Sequence, residues 1–153
     1  MTSERAGVSA PPDLVFTTFI RATPEAVWRA ITESDFTVRY YYGSTVECDW
    51  APGSPYLYRI DGEPALEGVI LESVPERRLV MTFHATWDDK VAADRPSRMT
   101  WELEPAGPGV TKVTVIHGGF EAANETYRQA EGAAYILAGL KTLLETGSPL
   151  AGG

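Results

Sequence analysis

Apolar and polar residues alternate along most of this chain with the period of two that a half-covered strand imposes. Leu79, Met81, Phe83, Ala85 and Trp87 oppose Val80, Thr82, His84 and Thr86. Met99, Trp101 and Leu103 oppose Arg98, Thr100, Glu102 and Glu104, and Val113 and Val115 oppose Lys112 and Thr114. The pattern predicts strands at 45–50, 56–60, 66–74, 79–87, 97–104 and 110–117, after a first strand of mixed pattern at 14–21. Turn residues separate them: Ala51-Pro52-Gly53-Ser54-Pro55, the hairpin signal Asp61-Gly62, Pro75-Glu76-Arg77-Arg78, and Pro105-Ala106-Gly107-Pro108-Gly109. Residues 88–96 read as a polar loop.

Three stretches carry the helical period instead. Thr23 is a good N-cap, Pro24 suits the first helical position, and Glu25 complements the helix dipole. Ala26 stands where a capping box would place Glu or Gln. Val27, Trp28 and Ile31 give that helix an apolar face. A second short helix is expected at 34–41, capped by Ser34 or Asp35 and stopped by Gly43. The last helix is expected as one piece over 123–146, with Tyr127, Ala130, Ala134, Leu137, Leu140 and Leu144 in one stripe. Gly147 ends it and Pro149 prevents its return.

The order is strand, two helices, six strands, long helix. Short turns between the six strands imply an antiparallel meander. Each strand offers one apolar face, and the final helix is the element left to cover it. The fold class is α+β: a curved antiparallel sheet wrapped around a long C-terminal helix, with two short helices after the first strand. If sheet and helix close incompletely, a cavity lies between them. The expected organisation is a loose tail at 1–12, one domain at 13–147 and a short tail at 148–153.

A net charge of −8 disfavours nucleic acid and anionic membrane surfaces as partners. No apolar run is long enough to span a bilayer, and residues 1–12 lack a signal-peptide core, so a cytoplasmic location is the default. The single cysteine, Cys48, excludes an internal disulfide, and its neighbours Glu47 and Asp49 are acidic rather than activating. His117, His84 and Cys48 lack metal-ligand spacing, and no phosphate-binding loop or GxSxG elbow is present, so no metal or cofactor is implied. Arg59 could face inward toward a carboxylate ligand or outward to solvent. Glu47 and Asp49 read as surface charges, and His84, on the opposite register from Met81 and Phe83, is expected at the surface. His117 continues the inward register of Val113 and Val115, where it could orient a polar group, act as acid or base, or simply sit satisfied at a strand end.

Aromatics are the strongest compositional lead. Tyr42, Trp50, Trp87 and Tyr135 belong to the set that could line the space under the last helix, but the narrower candidate set for ligand contact is Tyr40, Tyr41, Tyr56, Tyr58, Met81, Phe83, Met99, Trp101, His117, Tyr127, Ala133 and Leu137. Tyrosine suits such a place because its ring packs while its hydroxyl meets a polar tip.

Four strings carry a family resemblance: Ala22-Thr23-Pro24-Glu25-Ala26-Val27-Trp28-Arg29-Ala30-Ile31, Trp50-Ala51-Pro52-Gly53-Ser54-Pro55, Val74-Pro75-Glu76-Arg77-Arg78-Leu79-Val80, and Leu140-Lys141-Thr142-Leu143-Leu144-Glu145-Thr146-Gly147. The chain resembles the SRPBCC (START-like, helix-grip) superfamily, in the branch similar to the activator of the heat shock protein 90 ATPase. Two departures stand out. The family often has Trp before the glycine after the second helix, where this chain has Tyr42 before Gly43, and Gly-Trp where it has Gly132-Ala133. Loss of an indole at Ala133 implies a roomier pocket unless Tyr135 or Tyr127 fills the space. The resemblance implies a binder of a hydrophobic or amphipathic small molecule. It leaves two alternatives, a cyclase or hydrolase using His117 with a tyrosine, and a chaperone-associated protein. An exposed strand edge or aromatic rim leaves a homodimer open.

Overall fold

The structure, a computed structural model, describes residues 10–150. Residues 1–9 of the tail expected at 1–12 and residues 151–153 of the tail expected at 148–153 lie outside them. Seven strands form one sheet: β1 (Leu14–Ile20), β2 (Thr45–Cys48), β3 (Pro55–Ile60), β4 (Glu63–Val74), β5 (Arg78–Ala85), β6 (Ser97–Pro105) and β7 (Thr111–Gly118). Five helices accompany them: α1 (Pro24–Thr32), α2 (Ser34–Tyr40), α3 (Asp89–Ala92), α4 (Glu125–Arg128) and α5 (Gly132–Thr146). The sheet order is β1-β7-β6-β5-β4-β3-β2, antiparallel throughout. The meander from β2 to β7 is the expected one, and β1 joins it beyond β7. Asp61 and Gly62 both take positive φ, 53° and 82°, which is what a tight two-residue hairpin requires. Register shifts at Tyr58/Arg59 and Ile70/Glu72 add bulges that help the sheet curve.

The caps are partly as expected. Thr23 Oγ1 accepts the Ala26 N–H at 3.2 Å. Ser34 does not cap α2, since Glu33 holds the N-cap position without a side-chain bond. Ser34 Oγ is spent elsewhere: it donates to the Val46 carbonyl at 3.0 Å and accepts the Val46 N–H at 2.8 Å, lashing α2 to β2. The 88–96 stretch is not all loop. It contains α3, because Asp88 Oδ1 accepts the Lys90 and Val91 N–H groups at 2.8 and 2.9 Å.

The expected single C-terminal helix is two. Asn124 Oδ1 caps α4 by accepting the Tyr127 N–H at 2.9 Å, and Asp94 Oδ2 accepts both the N–H and the hydroxyl of Thr126 at 2.7 Å. The chain then tightens: Gly132 N–H reaches Gln129 O and Ala133 N–H reaches Ala130 O, three residues back rather than four. The helix restarts at Gly132, with Leu137 and Leu140 of the expected stripe still buried. Its buried residues are Ala133, Ile136, Leu137, Gly139, Leu140 and Leu143, and Ala134 of the expected stripe is exposed. At its far end Lys141 Nζ donates to the Phe19 carbonyl at 2.6 Å, and the Arg21 N–H donates to Glu145 Oε2 at 2.8 Å, fastening α5 to the end of β1.

Candidate functional site

A cavity of 410 Å³ lies between the concave sheet and the α4–α5 corner. Ile60 of β3, Phe83 of β5, Met99 of β6 and His117 of β7 line its sheet side. Thr126, Gln129, Ala130, Gly132, Ala133 and Ile136 form the helical side, and Tyr41, Tyr42 and Trp87 complete the wall. Tyr42 and Trp87 are 49% and 44% exposed, so they mark the mouth. Both are held in place. The Trp87 indole N–H donates to Gln129 Oε1 at 3.1 Å, while Gln129 Nε2 donates to Glu125 Oε2 at 2.8 Å. Tyr42 adopts φ +54°, a left-handed conformation a non-glycine residue takes only when its surroundings hold it there, and its ring stacks on Tyr135 at 5.7 Å.

The cavity extends beside Ala133. Tyr135 is exposed and stacks outward on Tyr42, and Tyr127 is half-buried edge-on to Phe120 at 5.0 Å, so neither fills it.

His117 is the deepest polar group of the wall, 1% exposed. Its ring lies 4.4 Å from Phe83 and 4.6 Å from Phe120, and its Nε2 pairs with Ser97 Oγ at 2.8 Å. Burial pushes its pKa down to about 4, so the imidazole is neutral at pH 7. A neutral ring bonded through one nitrogen can offer a donor or an acceptor with the other, but it is a weak base at that pKa. Tyr41 stacks on Tyr58 at 5.0 Å, and burial, with Tyr42 nearby, pushes its hydroxyl above the ordinary phenol range, so it stays a neutral donor. Among the described residues no hydrogen-bond partner meets that hydroxyl. Nor is it one of the two side-chain oxygens sealed from water without a partner, Ser44 Oγ and Thr86 Oγ1. Among the described residues, no cluster of three or more His, Cys, Asp or Glu could hold a metal ion.

Of the twelve candidates, the fold brings Tyr41, Phe83, Met99, His117 and Ala133 together on the wall. The others lie behind or beside it. Tyr40 is buried and its hydroxyl donates to Ala30 O at 2.8 Å, joining α2 to α1. The Tyr56 hydroxyl donates to Thr82 O at 2.5 Å. Tyr58, Met81, Trp101 and Leu137 are core residues, and Tyr127 packs on Phe120. Ile60, Thr126, Gln129, Ala130, Gly132 and Ile136 were not anticipated. All but Ile60 belong to the α4–α5 corner, whose one cue in the chain is Gly132 set within an otherwise helical pattern. Arg59 turns outward to Glu47 at 2.8 Å. His84 is half-buried behind β5, bonded to Ala92 O at 3.0 Å and Glu67 Oε2 at 3.2 Å.

A sheet gripping a C-terminal helix across a solvent-connected cavity defines a helix-grip protein of the SRPBCC superfamily. The chain belongs to the family described as Activator of Hsp90 ATPase homolog 1-like protein, whose model matches residues 21–145. No curated protein matches it. Among solved structures it is similar to PFC0360w, an HSP90 activator from Plasmodium falciparum, with 20% identity over 91% of this chain and 99% of that one and a TM-score of 0.71. The Aha1 dimer from Colwellia psychrerythraea is 18% identical over 90% of this chain and 98% of its own, with a TM-score of 0.65. CalU16 from Micromonospora echinospora is 19% identical over 88% of this chain and 77% of its own, with a TM-score of 0.67. At these identities the likeness is one of fold. No helix among the described residues is long and apolar enough to cross a membrane.

Proposed function

We propose that this protein binds a hydrophobic or amphipathic small molecule in the cavity between the sheet and the α4–α5 corner. The observation that carries the reading is the cavity itself: 410 Å³, walled mainly by apolar and aromatic side chains, with a few polar tips. Small-molecule sites have that size and that balance. A guest burying about 300 Å² of apolar surface gains roughly 7 kcal/mol at ~25 cal/mol per Å², and the costs of association still leave useful affinity without a charged anchor.

The test is a thermal-shift screen with apolar ring compounds and lipids. Saturating ligand should raise the melting temperature by about 5 °C or more. Ala133→Trp, which refills the space, should fold and lose the shift. A panel in which nothing stabilises the wild type would remove the reading.

A homodimer belongs to the same picture. Val15 and Phe19 are 60% and 53% exposed on β1 and offer an apolar contact, and one structural neighbour is described as a dimer. Sedimentation showing only monomer at high concentration would dismiss it.

A further inference from the structure

We propose that the cavity selects uncharged fused-ring guests that carry a hydrogen-bond acceptor for the Tyr41 hydroxyl, and that it rejects carboxylates. This rests on the reading of the cavity as a binding site.

Charge decides the first half. None of the thirteen lining residues is charged at neutral pH, His117 included. On the sheet side Arg59, next to the lining residue Ile60, is taken by Glu47 and by the Gly62 carbonyl at 3.1 Å. At the mouth the group behind Gln129 is the Glu125 carboxylate, and Arg128 beyond it already serves Glu125 at 3.0 Å and the Ala123 carbonyl at 2.7 Å. A carboxylate entering here would lose its water and meet no cationic side chain among the thirteen lining residues, and the chain's net charge of −8 adds to the repulsion.

Size and shape decide the second. A dry cavity of about 150 Å³ accommodates one benzene, so one of 410 Å³ has room for roughly two to three fused rings. Tyr41, Tyr42, Phe83 and Trp87 present flat faces or edges to such a guest.

The Tyr41 hydroxyl supplies the polar contact. Tyr41 lines the cavity, its oxygen has no protein partner among the described residues, and it is not one of the sealed orphans. Burial keeps it protonated, so it donates. The guest therefore needs an acceptor such as a hydroxyl, ether or ketone oxygen.

The experiment measures dissociation constants of 2-naphthalenemethanol, 2-naphthoate and naphthalene at pH 7.5, on the wild type and on Tyr41→Phe, which keeps the ring stacked on Tyr58. The wild type should bind the alcohol at least about tenfold more tightly than the carboxylate. Tyr41→Phe should weaken the alcohol by about three- to tenfold and leave naphthalene unchanged. Equal affinity for alcohol and carboxylate would overturn the selectivity while leaving the cavity reading intact. Unchanged alcohol affinity in Tyr41→Phe would overturn the assignment of the anchor. Binding of none of the three would overturn the cavity reading and the selectivity with it.

Discussion

The two histidines respond to acid in opposite ways. His117 is buried beside Phe83 and Phe120, and its pKa falls from the ordinary 6.5 to about 4. Between those values the unfolded chain binds the proton and the folded one does not, so stability falls as pH drops from 6.5 toward 4. His84 is shifted up, first by the Ala92 carbonyl and then by Glu67, and its contribution is present below 6.5 and lost as pH rises through the shifted value. The larger displacement belongs to His117. From pH 7 to pH 5 its loss comes to about 2 kcal/mol, and urea denaturation of the wild type should show it. His117→Phe should be less stable at pH 7, because Ser97 Oγ loses its closer partner and keeps only the Phe83 carbonyl at 3.5 Å, but should lack that component of the pH slope. An identical slope in the variant would mean that another group carries it. The inward placement of His117 was legible from its alternation with Val113 and Val115. Its partner was not, since Ser97 lies twenty residues away and meets it only through strand register.

At the scale of elements, the strands were read from their alternation and the C-terminal helix was not read well. Period and composition carry an apolar stripe straight through 123–146, but the break depends on Asp94, thirty-two residues upstream, gripping Thr126. Asn124→Ala should cost about 1 kcal/mol by removing the α4 cap, and should lower affinity for cavity ligands as well, because Gln129 and Ala130 ride on that turn. A stability loss with ligand affinity untouched would show that the corner does not shape the site. The Ser34 bridge to β2 escaped for a similar reason, since its partner is the Val46 backbone twelve residues away, whereas α3, capped locally by Asp88, escaped because four residues are too few to show a helical period. Gly68 on β4 illustrates packing between strands. A methyl there would overlap the Thr82 carbonyl and hydroxyl and sit 2.8 Å from the Tyr56 ring. Gly68→Ala should destabilise by about 1–3 kcal/mol in urea denaturation. A neutral result would mean that β4 and β5 separate more easily than their pairing implies.

For the whole molecule, the order of elements was enough to give the curved sheet and the helix it holds, because few arrangements cover seven half-apolar strands with the helices available. Sequence gives no volume. Whether sheet and helix touch throughout or leave a gap depends on small residues at one corner, and here Ala130, Gly132 and Ala133 leave it. The central claim is that a guest occupies that gap. Methyl NMR during titration with 2-naphthalenemethanol tests it most directly. Saturable shifts at Ile60, Met99, Ala133 and Ile136, with Val15 and Leu71 on the exposed surface unmoved, are the result expected. Shifts confined to Val15 and Leu71, or none at the four cavity methyl groups, would contradict it.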